Sequence, residues 1–332
     1  MTVEQQHQQQ QPQQQSSTST SKSSTRRIYH VTEGVKSSHT KRAYHLAFKT
    51  FLKATVKNDD LQALLDTKRD VVESNIIDHI TYLKDVHRLT YLSIQVHLSG
   101  IFHFFVINDY DLRTKKIKRF LPEDESDYYA KDRPYSVKEI EQILSKCDVR
   151  ARACVLIMTS TGMRIGGLKD LQIGDLKKID EFGLYMIWVY NRSRKDRYYT
   201  FTTPECAKAI DEYLEYRKRS VGEDISKDKS PLIRDKFRME DYFKAPKFLS
   251  IRTLSHIFED ALKRAGVNQP TSAARATKSR WQKKRDVMSS HGFRKFFITQ
   301  CDKAHISYTV REYLSGHQLP YVDVSYIRTT EE

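Results

Sequence analysis

The chain has 332 residues, with 57 Lys and Arg against 42 Asp and Glu and a formal net charge of +15. This length predicts about two domains, and the positive charge favours a polyanionic partner, either nucleic acid or an acidic membrane surface. No apolar run approaches the roughly 18 residues of a membrane span, and the polar opening MTVEQQHQQQ is no secretory signal, so we expect a cytoplasmic, intracellular protein with no membrane partner.

The N-terminal part of the chain divides into a tail and a helical domain. Residues 1–25 hold nine glutamines and six serines and are predicted to be disordered, because so few apolar side chains cannot offset the entropy cost of ordering. Apolar residues then recur at helical spacing in three sets: Tyr44, Phe48, Phe51 and Leu52; Ile76, Ile80 and Leu83; and Ile94, Leu98, Ile101, Phe102 and Phe105. With a fourth helix over 111–120, residues 26–120 are predicted to form a helical domain.

A second domain is predicted over 135–332. The acidic, proline-bounded stretch 121–134 lacks periodicity and reads as a linker. Ser136 and Glu139 have the spacing of a capping box at a helix start. Runs of β-branched and aromatic residues at 184–190 and 198–202 flank the polar turn NRSRKDR and predict a hairpin. Further helices are predicted over 151–160, ending at Thr161-Gly162, from Pro204 to about Arg219, and over 253–265, 292–304 and 307–314.

Four separated motifs carry residues suited to phosphate chemistry. They are TGMRIGGL at 161–168 with Arg164, RSRKDR at 192–197 with Lys195, HGFR at 291–294 with His291 and Arg294, and SGHQLPYVDVSYIR at 315–328 with His317 and Tyr326. In this order and spacing the set resembles the tyrosine recombinase family, which includes phage integrases and Xer-like proteins. The resemblance implies a mainly α fold with a small antiparallel β-sheet, in which a helical core-binding domain that clamps DNA precedes the catalytic domain.

The resemblance also implies a site-specific DNA recombinase or integrase that acts through a covalent 3′-phosphotyrosine. Tyr326 would be the nucleophile, and the planar guanidiniums of Arg164 and Arg294 would bind the phosphate oxygens as charge develops on them. His291 and His317 would contact the phosphate or handle the tyrosine proton, and Lys195 would protonate the leaving 5′ oxygen. Any one of these residues alone would be better explained as an ordinary structural residue.

Some assignments stay open at this stage. Many relatives carry the hairpin lysine about three residues earlier, where this chain has Arg192, so the general-acid position is open between Arg192 and Lys195, although arginine is the poorer acid. Gly167 stands where relatives often have an acidic residue. Tyr321 is a rival to Tyr326 as nucleophile, but its position directly after Pro320 favours a turn.

Basic residues outside the catalytic set are candidates for DNA contact. The segment RATKSRWQKKR, 275–285, holds six basic residues around Trp281 and is either a solvated insertion or a phosphate-contacting segment. The full candidate DNA-binding set is Lys41, Arg42, Lys115, Lys116, Arg192, Arg252, Lys278, Arg280, Lys283, Lys284 and Arg285. The expected partner is double-stranded DNA, bound by a homo-tetramer on paired sites.

No cofactor or metal is expected from the sequence. It contains no GxxxxGK[ST] phosphate loop, no evident carboxylate cluster for magnesium and no CxxC pair among its four cysteines. Two other functions remain open: a DNA-relaxing enzyme of the type IB topoisomerase kind, and a non-catalytic DNA-binding regulator that retains the fold. Sequence-selective cutting would separate a recombinase from the relaxing enzyme.

Overall fold

The computed structural model describes residues 27–55, 60–124, 133–236, 245–268, 287 and 289–317. Across these residues the protein is mainly α-helical with a small three-stranded antiparallel sheet, which confirms the predicted fold class. The chain divides into two compact units, Met1–Asp124 and Glu125–Glu332. The more detailed domain limits stay predictions, since the tail and much of the linker lie outside the described residues.

The first unit is built from helices whose apolar spacing sets the buried face. They are α1 (Ser38–Thr55), α2 (Leu61–Asp66), α3 (Arg69–Asp85), α4 (Tyr91–Ile107) and α5 (Thr114–Lys118). The three predicted apolar sets lie on α1, α3 and α4 and supply most of this unit's core. Periodicity did not predict α2, which is too short to show it; Asp60 caps this helix by accepting the backbone N–H groups of Gln62 and Ala63.

The second unit contains seven α-helices in its described part. They are α6 (Val137–Ser145), α7 (Val149–Thr161), α8 (Ile165–Asp170), α9 (Pro204–Val221), α10 (Ile251–Ala265), α11 (Ser289–Lys303) and α12 (Tyr308–Leu314). The predicted capping box of α6 is present, because Ser136 and Glu139 each bond the other's backbone N–H. Thr203 caps α9 as predicted, and Pro204 occupies its first turn.

The sheet has the strand order β1 (Leu176–Ile179), β2 (Leu184–Val189) and β3 (Tyr198–Phe201). The predicted hairpin is confirmed as β2 and β3, in which Val189 pairs with Tyr198 and Ile187 with Thr200. The four-residue β1 was not predicted, since the sequence LKKI is short and carries two lysines. The β2–β3 turn therefore spans residues 190–197.

Helix α7 lies at the centre of the second unit. Most of its residues are buried, from Ala151 to Thr161, and it packs against α9 and α11. A helix that is covered all round needs no polar face, which explains its weak amphipathic pattern. Its C-terminal end and the first turns of α11 are thereby brought to the same place. In the described part of the chain, no helix is both long enough and apolar enough to cross a membrane.

Candidate active site

Arg164 stands at the junction between α7 and α8. Helix α7 ends at Gly162, whose left-handed backbone (φ 61°) reverses the chain, and Arg164 is the extended N-cap residue of α8. A side chain at position 162 would strike the ring of Phe297, because a Cβ there would lie 2.2 Å from Cδ1. The Arg164 guanidinium is exposed and donates from Nη1 to the Gly316 carbonyl at 2.9 Å.

Arg294 lies beside this junction but is buried, with 2% of its surface exposed. Its Nη1 donates to the carbonyls of Gly162 and Ser315, both at 2.5 Å. Burial, and then the neighbouring Arg164, hold the pKa of Arg294 below its ordinary value, although an arginine remains charged. Its Nη2 makes no hydrogen bond to any residue that the structure describes. A buried cation with an unused donor is suited to receive an anion.

Both arginines hold the short segment that precedes His317. Gly316 has φ 67°, and a Cβ at that position would lie 2.3 Å from Cε1 of Tyr198. The Gly-His pair of the motif therefore has a structural reason: only glycine allows this backbone to turn closely over the tyrosine ring. The two carbonyls that accept from the arginines belong to the adjacent residues 315 and 316.

His317 makes a short contact with a carboxylate. Its Nδ1 lies 2.5 Å from Oε2 of Glu312, and its backbone N–H donates to the Glu312 carbonyl at 3.0 Å. Ser315 Oγ lies 3.3 Å from the same Nδ1. Sequence reasoning missed Glu312; the signal was an acidic residue one helical turn before the Gly-His pair, at the end of α12.

Two hairpin tyrosines face the arginines. Burial raises the pKa of Tyr198 well above its ordinary value, while Arg294 and Arg164 act in the opposite direction. Burial also raises the pKa of Tyr190, and the charge of Arg164 acts against this increase. The Tyr198 hydroxyl is buried and makes no hydrogen bond within the described residues. The two rings thus form an apolar wall with polar tips beside the guanidiniums.

The glycine pair after Arg164 makes room for this hairpin. A Cβ at Gly167 would lie 2.8 Å from Cγ1 of Val189, and one at Gly166 would lie 3.3 Å from the Tyr190 hydroxyl. Tyr190 itself adopts the left-handed backbone (φ 52°), which is uncommon for a residue with a ring. The space where relatives often place an acidic side chain is therefore filled here by the hairpin.

The hairpin turn separates its two candidate cations. Arg192 donates from Nη2 to Asp175 Oδ2 at 2.7 Å and to the Asp170 carbonyl at 2.6 Å, and from Nη1 to Gln172 Oε1 at 2.9 Å. Lys195 is exposed in the turn and has no hydrogen bond or ion pair with the described residues. Arg192 is therefore engaged by the protein, whereas the ammonium of Lys195 is available.

His291 is exposed in the first turn of α11 and lies three residues before Arg294, so both are on one side of this helix. The structure thus brings Arg164, Arg294 and His317 into one hydrogen-bonded cluster. His291 lies on α11, the helix that also carries Arg294. Tyr326 and its rival Tyr321 lie outside the described residues.

The remaining candidate DNA-binding residues are spread over both units. Lys41, Arg42 and Arg252 are exposed. Lys115 is exposed as well, but the Nζ of its neighbour Lys116 lies 3.4 Å from Oε2 of the fully buried Glu73. The candidates Lys278, Arg280, Lys283, Lys284 and Arg285 fall outside the described part of the chain. Over the residues described, no group of three or more His, Cys, Asp or Glu side chains is placed to hold a metal ion.

A family model for the phage integrase family matches residues 135–332, which is more than half of the chain. The chain belongs to the phage integrase family. This match contains every residue of the arginine and histidine cluster and confirms the resemblance to tyrosine recombinases. No curated protein sequence matches this phage integrase family member.

Solved structures of recombinases share the fold of this family member. The XerH site-specific recombinase bound to a palindromic difH substrate, a post-cleavage complex, is 16% identical with a TM-score of 0.57 over 84% of this chain and 73% of the other. A lambda integrase tetramer bound to a Holliday junction is 14% identical, with a TM-score of 0.54 over 90% and 76% of the two chains. The Tn1549 transposon integrase (aa 82–397) in complex with circular intermediate DNA is 14% identical, with a TM-score of 0.51 over 90% and 92%. At these identities the likeness concerns the fold.

Proposed function

We propose that this protein is a site-specific DNA recombinase that cleaves and rejoins DNA strands through a covalent 3′-phosphotyrosine. The observation that carries the proposal is the anchoring of Arg164 and Arg294 on the carbonyls of Gly316 and Ser315. Two guanidiniums and the adjacent His317 converge there, and Arg294 keeps a donor without a hydrogen-bond partner among the described residues. Fixed cations of this kind stabilise the charge that a phosphodiester gains when an oxygen attacks it.

In the proposed step, the energy of the cleaved phosphodiester bond is kept in the new bond between phosphorus and tyrosine. The phenolate oxygen of Tyr326 attacks phosphorus, a phosphorus–oxygen bond to tyrosine forms, and the bond to the 5′ oxygen breaks. Lys195 gives that oxygen a proton; its ammonium is exposed on the hairpin turn and has no hydrogen bond or ion pair with the described residues. His291 and His317 hydrogen-bond the phosphate or accept the tyrosine proton. The reverse step on another strand restores a phosphodiester without ATP.

Duplex DNA is the proposed substrate for two reasons. The chain carries a formal charge of +15, which supports binding to a polyanion. The similar structures are recombinases and integrases on DNA, one of them a tetramer on a Holliday junction. We therefore propose that this chain also binds duplex DNA and that it assembles as a homo-tetramer on paired sites.

The test is covalent capture on DNA. The full-length protein is incubated with a library of nicked duplexes of randomised sequence, without ATP and with a metal chelator, and adducts that survive detergent are separated by gel and sequenced. We expect a shifted band that is lost in Tyr326→Phe but retained in Tyr321→Phe, with a shared sequence among the captured duplexes.

Other outcomes have distinct meanings. Loss of the band in Tyr321→Phe alone would move the nucleophile to Tyr321. Adducts spread evenly over all sequences would favour a DNA-relaxing enzyme. Binding without any adduct would favour a non-catalytic DNA-binding protein.

A further inference from the structure

Among the described residues, one carboxylate is in direct contact with the cluster of Arg164, Arg294 and His317, and it lies on α12, where the sequence predicted none. Gly167 leaves no acidic side chain after Arg164, and its place is filled by Val189 and the hairpin. Glu312, at the end of α12, instead reaches His317 Nδ1 at 2.5 Å. A hydrogen bond from an imidazole N–H to a carboxylate is charge-assisted and stronger than one between neutral groups.

We propose that Glu312 is a positioning residue that fixes the orientation and tautomer of His317. Its carboxylate accepts a hydrogen bond from Nδ1–H, so Nε2 of the neutral ring carries the lone pair and can accept the tyrosine proton. Nε2 can donate to a phosphate oxygen only after it has taken up a proton. A hydrogen bond at one imidazole nitrogen determines the state of the other. This inference rests on the proposed function for what Nε2 does, but not for the geometry that Glu312 imposes.

The surrounding contacts favour a fixed carboxylate. The Glu312 side chain is 16% exposed, and Oε1 lies 3.6 Å from Nε of Arg311. Arg311 is in turn held by Asp302 at 2.8 Å. The Glu312 backbone carbonyl accepts from the His317 N–H at 3.0 Å. The loop from 312 to 317 is therefore closed by a backbone bond and a side-chain bond, which together restrict the ring.

The same carboxylate also balances charge in the cluster. Glu312 opposes the lowering of the Arg294 pKa that burial and Arg164 cause. Two guanidiniums close together repel each other, so an anion nearby stabilises the arrangement before DNA binds. The titratable and charged groups around the Glu312–His317 pair in the described structure are Arg164, Tyr198, Arg294, Cys301, Asp302 and Arg311.

The first test reads the tautomer and needs no DNA. Full-length protein with ¹⁵N-labelled histidine is compared by NMR with Glu312→Ala and Glu312→Gln, and the His317 signals are identified by their absence in His317→Gln. Spectra are taken over a pH series up to the range in which the His317 nitrogen shifts no longer change, so that the tautomer is read on the neutral ring. We expect Nδ1 to carry the proton in the wild type, and this preference to be lost in Glu312→Ala. A proton on Nε2 in the wild type would overturn the proposal.

The second test reads the reaction on duplexes selected by covalent capture. We expect Glu312→Ala to slow single-turnover cleavage on the order of tenfold or more. Glu312→Gln, which keeps the shape but not the charge, should move the imidazole limb of the pH–rate profile to lower pH. Glu259→Gln is the matched control, because it removes a carboxylate that lies beside another histidine, His256, outside the cluster, and it should leave the profile unchanged.

The two readouts separate this inference from the proposed function. If the wild type forms no adduct but shows the Nδ1–H tautomer, the proposed function fails while the Glu312–His317 geometry stands. If the wild type cleaves and Glu312→Gln matches it in rate and pH profile, the positioning role is wrong. Equal shifts of the profile in Glu312→Gln and Glu259→Gln would also overturn it, since the effect would then be one of general charge.

Discussion

The guanidinium of Arg192 grips the carboxylate of Asp175, with Nη2 2.7 Å from Oδ2 and Nη1 3.0 Å from Oδ1. Asp175 is 2% exposed, so its charge depends on this cation, on the Asn191 amide at 2.9 Å and on the Gln172 backbone N–H at 2.8 Å. The first cation of the hairpin turn therefore stabilises the base of the hairpin. The other candidate acid of this turn, Lys195, has no hydrogen bond or ion pair with the described residues and is the one that we propose for the chemistry.

Replacing Arg192 should therefore mainly lower the free energy of unfolding rather than act directly on the chemical step. Arg192→Ala leaves the Asp175 carboxylate buried without its cation, which we expect to lower the free energy of unfolding by about 2 kcal/mol. The measurement is chemical denaturation of the full-length protein. Lys195→Ala is the matched control and should unfold at the same denaturant concentration as the wild type. Equal stability of the two variants would show that the Asp175 pair contributes little.

Lys195→Ala should slow strand cleavage by a factor on the order of 100 or more, because the leaving 5′ oxygen then has no proton donor. A duplex whose 5′ bridging oxygen is replaced by sulfur needs no such proton, so cleavage of this substrate should be restored. The comparison is made in single-turnover reactions on both substrates. A variant that stays equally slow on the sulfur substrate would assign Lys195 to another task, and the same experiment on Arg192→Ala would test the alternative acid.

Gly316→Ala should disrupt the cluster at its centre. The new Cβ would lie 2.3 Å from the Tyr198 ring and would require a left-handed backbone for alanine, so we expect a loss of about 2 kcal/mol in the free energy of unfolding. Cleavage should fall as well, because the carbonyl that accepts from Arg164 must move. Gly183→Ala is the control: its φ is 60° but its Cβ would meet no atom within 4 Å. A similar cost in both variants would show that backbone strain alone accounts for it.

The first unit should lose stability in mild acid through His79. Burial, with His97 and His87 nearby, lowers the pKa of His79 to about 4, and its ring nitrogens have no hydrogen-bond partner in the described structure. The unfolded chain binds a proton near pH 6.5 whereas the folded chain does not, so stability is complete above that value. It falls as the pH drops toward 4, by on the order of 2 kcal/mol.

Denaturation curves measured between those pH values should show this slope in the wild type. The slope should be reduced in His79→Leu, because the apolar side chain has no proton to bind. His30→Gln, which changes an exposed histidine, should retain the wild-type slope. An unchanged slope in His79→Leu would assign the acid sensitivity to other groups, with His97, whose pKa is also lowered by burial, as the next to test.

The sequence by itself determined the helices, the hairpin and the identity of most of the cationic cluster. Caps, turn residues and helical periodicity act over a few positions, so Ser136 with Glu139 and the end of α7 at Gly162 could be predicted without the fold. Short elements such as α2 and β1 were missed because they carry too few residues for a period to appear. Family order then supplied Arg164, Arg294 and His317.

Only the tertiary structure decided how these residues are held. Arg294 bonds a carbonyl 132 positions away at Gly162, and the ring beneath Gly316 comes from the hairpin. Neither contact has a local signature, because it depends on α7 and α11 packing side by side. Packing of distant segments likewise determines the partners of Arg192. It also determines the contacts of Val189 and Tyr190 with the glycine pair after Arg164. The sequence determines which side chains can donate, accept or carry charge. Packing between distant segments determines which donor bonds which acceptor.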